Sequence, residues 1–313
     1  MWRSLTKQIN CNYMNWKHVI LVGTLSALPL GAMAQANILN AKKPEDIGKK
    51  TEAQITADDD IPLEYGYVDD RDILWSKTVW EVIDLDQRVN FPLYYPLDTI
   101  DIGADRRSLY DVFIKNIKNG KLTDVYVDSY FTEKRKFSDL AATLKKVDTT
   151  DLGYEQYNAG EQISPEYINQ RELTAADIEE YRIKGIWYFD KRQGELKYRL
   201  LGIAPVAPDV NFIDDQSMNP EDAKVELFWV WFPSSRQILH EAKVFNQQNS
   251  AMPISFDMLL NSRRFNATIY KEDNVHGDRE ITDYIADNAL FQLLEAQRIK
   301  EEIRDREQDM WAY

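Results

Sequence analysis

Histidine, cysteine and paired carboxylates supply most hydrolytic and metal chemistry, and the sequence is sparing with the first two. Of three histidines, His18 precedes an apolar N-terminal run, which leaves His240 and His276; the single cysteine is Cys11. Without thiolates or a His-x-x-x-His spacing, a zinc ion would have to rest on carboxylates. A Ser-His-acid triad could draw on either histidine, but no Gly-x-Ser-x-Gly turn is present. No glycine loop able to cradle a phosphate occurs among the twelve glycines. Asp58-Asp59-Asp60 lacks the glycine and spaced ligands of an EF-hand loop. Carboxylates are plentiful, and two facing acids suffice to cleave a glycoside. The acid-dense, aromatic stretch Asp58–Asp72 is where such a pair would be sought. The reading set against it is a solvated acidic face. No catalytic set, metal site or cofactor is expected.

Aromatic side chains are the other notable resource: they make up 12% of the chain, with eight tryptophans. Tyr, Trp and Arg dominate protein-association hot spots, and the same rings stack on sugars. A soluble carbohydrate-binding or two-carboxylate glycoside-cleaving protein is therefore the alternative to a protein-binding role. The side chains expected to contact partners are Ile38, Leu39, Trp75, Trp80, Tyr94, Tyr95, Trp187, Met310 and Trp311.

The elements that must position these residues follow from periodicity and punctuation. Lys17 and His18 precede the apolar run Val19–Ala32, which ends in Ala32-Met33-Ala34. This is the order of a secretory signal, with cleavage expected between Ala34 and Gln35 and translation starting at Met1 or Met14. Loss of residues 1–34 takes Arg3, Lys7 and Lys17 but no acid, moving the net charge from −14 to −17. Nucleic acid is a poor partner for such a surface. No later run reaches membrane-spanning length. Residues 35–60 have few large apolar side chains and read as a flexible tail, in which Ile38 and Leu39 form a small sticky patch.

The fold class expected is α+β: two small mixed strand–helix–strand units, related by a possible internal duplication, plus a long C-terminal helix. The first unit covers residues 61–147, a connection 148–172, and the second unit with the C-terminal helix 173–313. In the first, DILWSKTVWEVIDL is read as a helix on the spacing of Trp75, Val79 and Ile83, although VWEVIDL also tolerates a strand; NFPLYYP is an edge or terminal strand, and Ser108 and Asp111 cap a helix that stops at Gly120 before the strand VYV. Ser138 would cap a further helix through Lys146. In the second, Thr174 and Asp177 form a capping box for a helix ending at Gly185. IWYFD and ELKYRLLGIAPV make a hairpin turning at Gly194. Leu227–Phe232, apolar throughout, is a central strand buried on both faces. Ser255 caps a helix, FNATIY returns as a strand, and a helix runs from about Thr282 to Trp311. Ile285, Ala289, Leu293 and Ala296 form its apolar stripe, with Leu290 and Leu294 beside it.

Five of these stretches together resemble the GldN/PorN family. They are DRDILWSKTVWEVIDLDQRVNFPLYYP, KGIWYFDKRQGELKYRLLGIAPV, LFWVWFP, VFNQQNSAMPISFDMLLNSRRFNATIYKEDNV and IKEEIRDREQDMW. The likeness spans residues 61–311 and lies in the length and order of the segments. It implies a non-enzymatic periplasmic component of the type IX secretion and gliding machinery of Bacteroidetes. It also implies a ring built with an outer-membrane lipoprotein of the GldK/PorK type, facing the periplasmic parts of inner-membrane motor proteins of the GldL and GldM type.

Overall fold

The computed structural model describes residues 61–98, 106–160, 162, 164–210, 224–246, 249, 254–286 and 288–311, and Asp60–Tyr313 forms one compact unit. The architecture is α+β with a long C-terminal helix. In chain order the first part holds strand β1 (Ile73–Asp84), helices α1 (Phe91–Tyr94) and α2 (Leu109–Lys118), β2 (Val125–Tyr126), α3 (Phe137–Leu144), β3 (Lys145–Thr149), α4 (Asp151–Asn158) and β4 (Ile168–Glu172). The second holds β5 (Glu180–Asp190), β6 (Glu195–Pro208), β7 (Lys224–Glu226), β8 (Trp229–Trp231), α5 (Phe232–Glu241), β9 (Lys243–Val244), β10 (Ile254–Ser255), α6 (Phe256–Asn261), β11 (Thr268–Glu272), α7 (Ile281–Tyr284) and α8 (Ala289–Trp311).

One antiparallel sheet, ordered β11-β1-β5-β6-β8-β2 with β7 beside β6, takes strands from both halves of the chain. The two stretches expected as separate units thus contribute strands to one sheet. β1 replaces the helix expected at DILWSKTVWEVIDL: its β-branched and aromatic residues suit a strand, and it pairs with β5 along nearly its whole length. NFPLYYP is helical in α1, with Pro92 in the first turn, where a missing N–H costs nothing. The Thr174–Asp177 capping box forms but closes only the single turn Ala175–Asp177. β5 then starts at Glu180, because pairing on both sides with β1 and β6 outweighs the local helix signal. Ser138 lies inside α3, whose N-cap is Lys136 and which gives way at Lys145 to β3, antiparallel to β4.

Other signals hold. Ser108 and Ser255 accept from the backbone N–H of Asp111 and Met258, capping α2 and α6. The β5–β6 hairpin turns at Gly194 with φ +67°. Leu227–Val230 and Phe232 are fully buried, although the strand itself is only Trp229–Trp231 and α5 begins at Phe232 with Pro233 in its first turn.

Alternation along β1 places Val79, Glu81 and Ile83 on one face and Trp80 on the other. Ile83 joins the main core with Tyr181, Ile183, Phe113, Phe228 and Leu259 under α2, α5 and α6. Val79 joins Ile269, Ala296, Ile299 and Ile303 under α8. Between these two apolar zones sits Glu81, 3% exposed, bonded in bidentate fashion by Arg263 at 2.8 and 2.9 Å. Arg263 follows α6 with φ +49°, the left-handed turn that often ends a helix. Its guanidinium lies 4.1 Å from the Tyr198 ring centroid. Tyr198 in turn covers Gly185, where any Cβ would collide with its ring.

On the opposite face Trp80 packs with Ala204, Trp229 and Phe131. The loop carrying Phe131 is held by Lys184, whose Nζ donates to the Ser129 carbonyl at 3.0 Å and lies over the Trp80 and Tyr130 rings. Burial, and then the nearby Lys271, lower the Lys184 pKa.

Replacing Arg263 by Ala leaves Glu81 buried without a counter-charge. The expected loss is about 3–5 kcal/mol of unfolding free energy, read by urea denaturation. The pair E81Q/R263M is expected to recover part of it. A second expectation concerns alkali. Burial raises the phenols of Tyr110, Tyr181, Tyr198 and Tyr270, and lifts Tyr65 to about 12. The unfolded chain therefore releases protons first, and stability, intact below pH ~10, falls as pH rises toward the folded-state values. The phenolate absorbance of these buried tyrosines should then grow together with loss of circular dichroism; their ionisation near pH ~10 in the still-folded chain would contradict this burial.

Candidate interaction surface

α8 is amphipathic twice over. Its inward stripe is Ala296, Ile299 and Ile303, all buried against β1 and β11. At about 100° per residue, Leu290 and Leu294 fall on the reverse side, while Leu293, three positions before Ala296, falls on the flank. Leu290 is 65% exposed, and Phe291, Leu293 and Leu294 are 56%, 56% and 55% exposed. Of the expected stripe, Ala296 is buried and Ile285 packs on the same zone, whereas Ala289 and Leu293, with Leu290 and Leu294 beside them, are exposed. The first turns of α8 are exposed at Ala289, Leu290, Phe291, Leu293 and Leu294, and full burial in the helix begins only at Ala296. Gln292 secures the start of α8 by donating to the Ile285 carbonyl at 2.9 Å.

Charges fix this orientation. Lys77 on β1 bridges Glu272 on β11 at 2.7 Å and Glu302 on α8 at 3.3 Å. Arg298 pairs with Glu295 at 2.8 Å and Glu302 at 3.2 Å. The hydrogen bond from Arg298 holds the Glu295 carboxyl below its ordinary pKa, and Glu295 in turn raises Arg298. Tyr284 on α7 donates to Glu295 at 3.3 Å; burial first, and then that carboxylate, push its phenol up to about 12.

The residues expected to meet partners are scattered. Trp80 is 1% exposed and belongs to the core, because it lies centrally on β1 beneath the loop at residues 129–131 that Lys184 holds. Trp75 and Trp187 are half-buried beside the α8 zone. Tyr94 is half-buried and donates to the Ala176 carbonyl at 3.2 Å. Tyr95 is 50% exposed, edge-on to Tyr94. Met310 is half-buried near the end of α8, whose last residue is Trp311. Ala34, Gln35, Ile38 and Leu39 lie outside the described residues, as does Asp58-Asp59-Asp60. Of the acid-rich entry segment, Asp69 is tied to Arg71 and Asp72 faces Arg192. His240 closes α5, while His276 sits in a turn where its backbone N–H donates to Asn274.

Sequence reasoning missed the outward ridge of α8 and the Glu81–Arg263 pair. The ridge had a signal: Leu290 and Leu294 lie about half a turn from the Ala296/Ile299/Ile303 stripe and cannot face the same sheet. The ion pair had none, since its partners stand 182 positions apart.

Residues 68–312, which take in the whole sheet and α8, match the family model described as "Gliding motility associated protein GldN". The chain belongs to the GldN family. No curated protein matches the sequence. The GldN match makes the chain a component of the gliding-motility and type IX secretion machinery. Among the described residues, no helix is long and apolar enough to cross a membrane.

Lys77→Met is expected to loosen α8 by about 1–3 kcal/mol, since Glu272 is left largely buried. Faster amide exchange confined to α8, with β5 and β6 still protected, is the readout; uniform acceleration would contradict local docking.

Proposed function

We propose that this GldN-family chain is a non-catalytic structural part of the type IX secretion and gliding machinery. It resides in the periplasm under the outer membrane, held there by a lipoprotein of the GldK/PorK type. With that lipoprotein it self-associates in a ring that faces motor proteins of the GldL and GldM type. The observation that carries the reading is a rigidly seated helix displaying four large apolar side chains on one solvent-facing patch, in a member of this family. Such patches, a few hundred Å² on a typical monomer, commonly mark protein contacts. The occupant assigned to this ridge is the lipoprotein, because the chain needs an attachment to the membrane that its own described helices do not offer. Tyr95, Met310 and Trp311, with Ile38 and Leu39 of the tail, would extend the contact. The secretory signal pattern at Val19–Ala34 supports export.

The double substitution L290D/L294D tests the ridge. Both side chains are solvent-exposed, so unfolding free energy should move by no more than about 0.5 kcal/mol. Co-purification with the co-expressed lipoprotein should fall at least about tenfold, the scale expected for two apolar anchors. Undiminished recovery of the complex would remove α8 from the interface.

A further inference from the structure

The chain carries a net charge of −14, yet one region of its surface is strongly basic. Two grooves of about 180 and 170 Å³ adjoin there, sharing Arg107 and Lys243 as common walls. Among the described residues lining them, Arg106, Arg107, Lys115, Lys121 and Lys243 are cationic and only Glu241 is acidic. The floor is apolar, with Val112, Ile238 and Val244. Tyr95 and Phe245 stand half-exposed at one end, with the Arg106 guanidinium 5.2 Å from the Phe245 ring centroid.

Helix stability accounts for only part of this charge. Lys115 and Lys121 lie around the C-terminal end of α2, and Lys243 follows α5, where helix dipoles favour cations. Arg106 and Arg107 precede the N-cap Ser108, the end at which the α2 dipole disfavours them. We propose that this double groove binds an acidic peptide segment of a partner protein. Its carboxylates would meet Arg106, Arg107 and Lys121, and its apolar side chains the floor. A point anion such as phosphate would use one groove and leave the apolar floor empty. An anionic bilayer would be repelled by the rest of the acidic surface. Charge complementarity favours the peptide.

The probe is a fluorescein-labelled peptide of about ten residues, rich in Asp and Glu with one Leu and one Tyr, followed by anisotropy on the purified chain. The acidic peptide is expected to bind, to weaken steadily with added salt, and to lose at least about tenfold in affinity on R106E/K121E. A lysine-substituted version should not bind. R106Q/K121Q, expected to lose less, serves if the charge-reversed variant does not fold. Equal binding by wild type and variants would overturn the proposal. So would binding of phosphatidylglycerol vesicles or inorganic phosphate to this groove in place of the peptide.

Discussion

The buried contact between Glu81 and Arg263 joins the parts of the molecule. It lies where the α2–α5–α6 layer gives way to the zone under α8, and there a carboxylate needs its counter-charge. Each participant limits its neighbours. Arg263 reaches the sheet from the left-handed turn after α6, so that helix must end there. Tyr198 supports the guanidinium and also donates toward Glu81 at 3.4 Å. The ring of Tyr198 leaves room for nothing larger than glycine at position 185. Strands β1, β5 and β6 are thereby tied to the end of α6 through three side chains and one glycine.

Much of the local architecture was legible in the sequence, because caps and turns act over three or four residues. Ser108, Ser255 and Gly194 perform as their types require. Failures came where a long-range pairing overrode a local preference. Thr174 and Asp177 make their reciprocal bonds, and the chain still turns extended three residues later, since β5 has a partner on each side. β1 was misread for the same reason: Trp75, Val79 and Ile83 fit a helix as well as a strand, and only the neighbouring strands decide.

The surface was less legible than the fold. An apolar residue in a sequence does not declare whether it faces a core or a partner. Trp80, a plausible anchor by type, is sealed beneath Tyr130 and Phe131, while Leu290 and Leu293, plausible core residues by type, stand in solvent. Placement separates the cases: full burial in α8 begins only at Ala296, beyond the exposed turns that carry Leu290 and Leu293. The family, by contrast, was legible from the order of long segments, with no single catalytic motif needed.

Tyr65 gives the start of the described chain a mechanical character. Its ring lies 4.2 Å from the Arg236 guanidinium and 4.7 Å from that of Arg199, and its hydroxyl donates to Asn261 at 2.7 Å. Arg236 is itself braced by both oxygens of buried Asp257. Tension applied ahead of Ile61 would thus reach α5, α6 and β6 together, loading several elements at once before the leading segment could peel away. Such a fastening lets the folded chain bear a pull from its leading side without unravelling.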